Sequence, residues 1–145
     1  MTATVLDVAK YIAEQSGEMT AMKLQKLAYY CQAWHMVWED TELFSEDFQA
    51  WANGPVVPCL YERHRGMFHV TSDLFQSGDT TKLSADAKKN IDKVLSFYGT
   101  KNAFWLSNLT HQESPWKDAR NGLPAGESSS AVIPKSSMVE YYGSL

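Results

Sequence analysis

The stretch from Thr20 to Trp38, TAMKLQKLAYYCQAWHMVW, constrains the fold more than any other part of the chain. Leu24, Leu27, Ala28, Cys31, Trp34 and Trp38 recur at steps of three and four, so a helix places them on one face as the seam of a core. Tyr29, Tyr30, Ala33 and Met36 add a second apolar band beside it. A helix apolar over so much of its circumference needs cover on two sides, which puts it at the centre of the molecule. Thr20 is the expected N-cap, and Lys23 and Lys26 are expected to project into solvent.

The rest of the chain must supply the cover. Its 145 residues, 44% hydrophobic and 12% aromatic, suffice to bury one core and not two, so residues 1–145 are expected to form a single domain. A net charge of −4 argues against a nucleic-acid footprint, which needs clustered Lys and Arg to displace phosphate counterions. The central helix carries too much aromatic surface to serve as a DNA recognition helix. The N-terminus has no basic segment followed by an apolar run, and no stretch approaches the length of a membrane span. Cys31 and Cys59 make no disulfide framework, and a cytoplasmic location is expected.

Taken in order, Val5, Val8, Ala9 and Ile12 predict an amphipathic helix from about Leu6 to Gln15, closed by Gly17. Glu39, Asp40, Glu42, Glu46 and Asp47 then crowd into nine residues, as a solvated loop or as an acidic edge for a basic partner. Phe48–Trp51 reads as a short strand, and Asn53-Gly54-Pro55 as a turn. Val56–Arg65 is predicted helical with Pro55 at its start, and residues 72–81 form a surface loop. Ser84 caps a helix whose stripe is Ala87, Ile91, Val94, Leu95 and Tyr98, ended by Gly99. Further helices are expected over 102–112, over 115–120 with Ser114 as cap, and after a Ser137/Glu140 capping box, with a mobile loop over 121–130. The expected fold is therefore mainly α, built around the 20–38 helix, with room for a small β-hairpin or sheet near 43–51 and 68–70.

Catalytic chemistry finds little footing. No zinc-type spacing, Walker A loop or calcium loop is present, so no metal or cofactor is called for. His111 near Glu113 suggests an acid–base pair, and Cys59 five residues before His64 a thiol with a base. Neither shows the third, orienting group that an activated nucleophile needs.

Four segments together carry a family signature: MKLQKLAYYCQAW at 22–34, FQAWANGPVVPCLYE at 48–62, HQESPWKDAR at 111–120 and VIPKSSMVEYY at 132–142. Their order and spacing resemble the Panacea domain, the SocA-like or phage-associated GepA-like family. The motif falls on Lys23, Leu24, Lys26, Leu27, Tyr30, Ala50, Trp51, Gly54, Pro55, Val56, Tyr61, Pro115 and Trp116. The resemblance implies a non-enzymatic antitoxin of a bacterial or phage toxin–antitoxin system that neutralises a toxin encoded nearby by direct contact. The alternatives are an adaptor handing the toxin to a cellular protease and, further off, a small enzyme using Cys59 or His111. Within this reading the motif residues build the scaffold, with Lys23 and Lys26 paired to carboxylates such as those of the 39–47 stretch, ahead of the alternative that they meet the toxin. Glu39, Asp40, Glu42, Glu46 and Asp47 are the candidate partner-binding residues.

Overall fold

The computed structural model describes residues 3–145 and shows a mainly α fold with seven helices and two small antiparallel sheets among those residues. Helix α1 (Val5–Ser16) opens with a reciprocal cap: Thr4 Oγ1 accepts from the Asp7 amide, and Asp7 Oδ2 accepts from the Thr4 amide at 2.8 Å. Val5, Val8, Ala9 and Ile12 are completely buried, and the two valines and the isoleucine each contribute roughly 1.5–3 kcal/mol of apolar transfer. Gly17, at φ 77°, ends the helix in a conformation that a side chain would resist.

Strand β1 (Met19–Thr20) leads straight into α2 (Ala21–Glu39), whose first turn is capped by Thr20 Oγ1 accepting from the Lys23 amide. Helix α2 is the hub, packed by α1, α4 (Ala85–Tyr98), α5 (Ala103–Gln112), α7 (Lys135–Gly143) and strand β3 (Gly54–Val56). The central placement holds, with two corrections to its faces. Trp38 at the end of the seam is exposed, and Lys26 is completely buried.

Strands β2 (Gln49–Trp51) and β3 (Gly54–Val56) pair with Ala50 opposite Pro55 and turn through Ala52 and Asn53. The outer edge of β2 is covered by residues 131–133 through Ala50 N–H to Ala131 O and Ile133 N–H to Phe48 O, both 2.8 Å. Strand β4 (His69–Val70) pairs with β1, so the sheet residues expected at 43–51 and 68–70 belong to separate sheets, and residues 43–47 contribute no strand.

The predicted Val56–Arg65 helix is shorter at its start. Residues 54–56 are committed to β3, and α3 (Pro58–His64) begins at Pro58, where a missing amide costs nothing. The 72–81 loop holds two 3-10 turns and buries Phe75 entirely. Ser84 and Asn102 cap α4 and α5 through the amides of Ala87 and Trp105. Helix α6 (Ser114–Ala119) starts one residue early, with Glu113 at the cap position and its carboxylate turned into the core. Helix α7 starts at Lys135 instead of behind a Ser137 cap, because the Ser137 hydroxyl donates back to Pro134 O at 2.8 Å.

Candidate functional site

The family-motif positions converge on a polar knot where α2 meets the β2–β3 hairpin. Gln25 docks on the backbone of Val57 as a strand would, its Oε1 accepting from the amide at 3.0 Å and its Nε2 facing the carbonyl at 3.4 Å. That fixes Nε2 as a donor, so His64 Nε2, 3.0 Å away, must accept. His64 is therefore neutral, in keeping with burial lowering its pKa, helped by the nearby Lys26 charge. Gln32 repeats the arrangement on Leu43 N–H and Phe44 O. Two buried glutamines thus tie irregular chain to the central helix.

Lys26 lies between them under the hairpin turn. Its ammonium donates to Pro55 O at 3.3 Å and, among the described residues, meets no carboxylate; burial pulls its pKa down to about 7. Gly54, at φ 118°, sits directly on its aliphatic stem. Lys23 is half-buried and donates to Gly99 O at 2.7 Å, capping the carboxyl end of α4. The expected ion pairs with residues 39–47 are not formed, because both lysines find backbone carbonyls first.

The remaining motif residues brace the same region. Trp116 Nε1 donates to Trp51 O at 2.9 Å, while the Arg120 guanidinium lies 4.7 Å above the Trp116 ring and donates to Ala50, Pro124 and Glu127 carbonyls. His111 stacks on Trp116 with centroids 4.0 Å apart, and Tyr61 meets Trp51 edge-on. Leu24, Leu27, Tyr30, Ala50, Pro55, Val56 and Pro115 are all buried.

Among the described residues, neither candidate catalytic pair, His111 with Glu113 or Cys59 with His64, is joined by a hydrogen bond; His64 and Glu113 are engaged by other partners. Glu113 Oε1 accepts from Tyr30 at 2.7 Å and Tyr142 at 2.6 Å. With the Tyr142 proton so used, Tyr29, 3.1 Å away, donates to Tyr142. Burial raises the Glu113 carboxyl above its usual range, against the opposing hydroxyls. His111 Nε2 is buried without a partner, and Cys59 lies at the surface with its thiol partly desolvated and near Glu46, both of which raise its pKa, away from the nucleophilic range. Among the described residues no three His, Cys, Asp or Glu side chains gather as a metal site.

The acidic stretch is largely engaged within the fold. Glu39 accepts from Asn90 at 2.9 Å, and Glu46 from the Val5 amide at the positive end of α1. Asp47 and Glu42 hold Lys135 at 2.6 and 3.8 Å, fastening the start of α7, and Asp40 ends α2 with φ 58°.

A different surface is left open. Trp38, Phe97 and Trp105 are 42, 53 and 39% exposed; Trp38 and Phe97 line one groove between α2 and α4, and Trp105 of α5 adjoins Phe97, with Phe104 exposed beside it in sequence. Trp34 stacks on Trp38 and donates to the Tyr98 hydroxyl at 3.0 Å. Phe97 meets Trp105 at 6.3 Å. Lys93 lies 4.9 Å over Trp38, and Lys101 covers both Phe97 and Trp105 at 5.3 and 4.9 Å. Between α2 and α4 the rings frame an apolar groove of about 360 Å³. Sequence reasoning missed this face, though a signal existed: Phe104, Trp105 and Leu106 are consecutive, and a helix cannot turn all three inward.

A sequence model of the antitoxin SocA-like, Panacea-domain family matches residues 24–117. The chain belongs to this family. No curated protein and no solved structure matches it. The Panacea segment runs from the first turn of α2 into α6 and holds the Lys26–Gly54 knot and the whole aromatic face. Helices α1 and α7, outside it, still belong to the same hydrophobic cluster, and α7 supplies the Tyr142 that answers Glu113. No described helix is long and apolar enough to cross a membrane.

Proposed function

We propose that this Panacea-domain chain is a cytoplasmic antitoxin that neutralises a protein toxin by binding it directly. The observation that carries the reading is the match of an antitoxin family across residues 24–117, the span containing the central helix and its hairpin. The geometry adds an aromatic surface suited to a protein interface, and His64 and Glu113 are hydrogen-bonded to Gln25 and Tyr30 rather than to Cys59 and His111. Neutralisation by occlusion requires an interface of standard size, roughly 800 Å² on each partner, rather than a reactive centre.

The test is growth rescue. The reading frame beside this one is expressed alone and with this chain in a bacterial host, with a frame-shifted copy of this chain as control. Arrest by the neighbour and recovery only with the intact chain supports the antitoxin reading. A neighbour that is harmless, or toxic with and without this chain, contradicts it. Rescue accompanied by protease-dependent loss of the toxin replaces occlusion with delivery to a protease.

A further inference from the structure

The aromatic face has the properties of a binding site that the polar knot and the acidic stretch lack. Partly exposed Trp side chains surround a groove here, and Trp is a residue type enriched among the anchors of protein interfaces. Here Trp38, Phe97 and Trp105 are held in place by neighbours: Trp34 backs Trp38, Tyr98 fixes Trp34, and Lys101 spans Phe97 and Trp105. Little rotamer freedom remains to be lost on docking.

Charge narrows the choice of occupant. The chain is net −4, yet the cations seated on the face are Lys93 and Lys101, each over an aromatic ring and neither in an ion pair among the described residues. Glu39 borders the face at the end of α2, where Asn90 holds its carboxylate. A partner must therefore bring apolar side chains into the groove lined by Trp34, Trp38, Val94 and Phe97, and carboxylates beside them to meet the two ammonium groups. A groove between two helices receives such a combination best from a third helix.

We infer that the groove between α2 and α4, continued over Phe97 and Trp105, docks an amphipathic helix of the cognate toxin whose apolar anchors are flanked by Asp or Glu. The inference rests on the antitoxin reading and adds to it the surface and the chemistry of the partner.

The experiment titrates the purified neighbouring gene product into the intact chain by calorimetry. Wild type is compared with Trp38→Ala, Phe97→Ala and Trp105→Ala, with the double reversal Lys93→Glu/Lys101→Glu, and with Glu42→Gln/Asp47→Asn on the acidic edge. Circular dichroism melts select variants that keep the fold, and the charge reversal stays available if truncation of a partly buried ring unfolds the chain. Each aromatic truncation is expected to weaken binding by about tenfold or more. The charge reversal is expected to weaken it and to reduce its salt dependence, and the acidic-edge variant to bind as wild type does. Wild-type binding with every face variant within about twofold of it would overturn the docking site and leave the antitoxin reading standing. Binding lost only in the acidic-edge variant would move the site to residues 39–47. A chain that sediments as a dimer and becomes a monomer with Phe97→Ala would show a second copy on the face, overturning the toxin helix as occupant. No association and no rescue by wild type would remove both the reading and the inference.

Discussion

A side chain at position 54 would place its Cβ 2.5 Å from Cε of Lys26 and 3.0 Å from the Thr110 hydroxyl. Gly54 also holds φ at 118°, a region in which only glycine is unstrained. Two separate demands thus fall on one residue, and Lys26 creates the first of them. Gly54→Ala should destabilise the fold by roughly 2–4 kcal/mol, from overpacking and backbone strain together. In a Lys26→Ala background the closest clash disappears, the Thr110 hydroxyl at 3.0 Å remains, and the penalty should shrink. A double-mutant cycle from thermal or urea melts measures this, and equal penalties in both backgrounds would show that Lys26 does not press on the turn.

The Lys26 ammonium gives the fold a pH dependence of predictable sign. Its pKa falls from 10.5 in the unfolded chain to about 7 when buried. Between those values the unfolded chain holds a proton that the folded one has released, so this residue makes stability rise with pH. Below pH 7 it is charged in both states and opposes folding by its full desolvation cost. Lys26→Met should be more stable than wild type near pH 6, with the gap closing at up to about 1.4 kcal/mol per pH unit above pH 7. Measurements should stop near pH 9.5, before tyrosines such as Tyr30 and Tyr142, whose burial raises their pKa, change the balance. Parallel curves for the two proteins would mean that Lys26 is charged in the fold throughout.

Glu113 has the opposite sign. Its folded pKa is raised above 4.5, chiefly by burial, so its favourable contribution is complete below pH 4.5 and is lost as pH rises through the folded value. Glu113→Gln keeps an oxygen for the Tyr30 and Tyr142 hydroxyls and removes the titration. Relative to wild type the variant should gain stability as pH climbs from 4 to 7, read by chemical denaturation at fixed ionic strength. A constant difference over that range would place the carboxylate in a more solvated setting.

Arg120 fastens the segment that follows it. Its guanidinium reaches the carbonyls of Ala50, Pro124, Ala125 and Glu127, a fan of acceptors that the single ammonium of lysine cannot cover. Arg120→Lys should leave helical content unchanged and make residues 121–130 several-fold more susceptible to limited proteolysis. Unchanged cleavage would assign the order of the loop to other contacts.

What the sequence shows plainly is whatever depends on near neighbours. Thr20, Ser84 and Gly17 mark helix boundaries because capping is decided within one turn, and Asn53-Gly54 marks the hairpin for the same reason. Lys26 is illegible locally: a lysine between two leucines on a helix reads as solvent-facing until a hairpin about 30 residues away is folded over it. Gln25, Gln32 and Glu113 are hidden likewise, since their partners are the distant backbone of Val57 and of Leu43–Phe44, and the hydroxyls of Tyr30 and Tyr142. Trp38 shows the converse error. Its periodicity puts it on the seam, but α2 outruns the elements that cover it, and its last turn emerges beside Lys93.

Neutralisation by direct contact is tested most simply by size-exclusion chromatography of this chain co-expressed with its neighbouring gene product, with toxin abundance followed in the same cells. The account predicts a co-eluting stoichiometric complex with the toxin at undiminished level. Rescue of growth with separate elution of the two proteins and falling toxin abundance would contradict it.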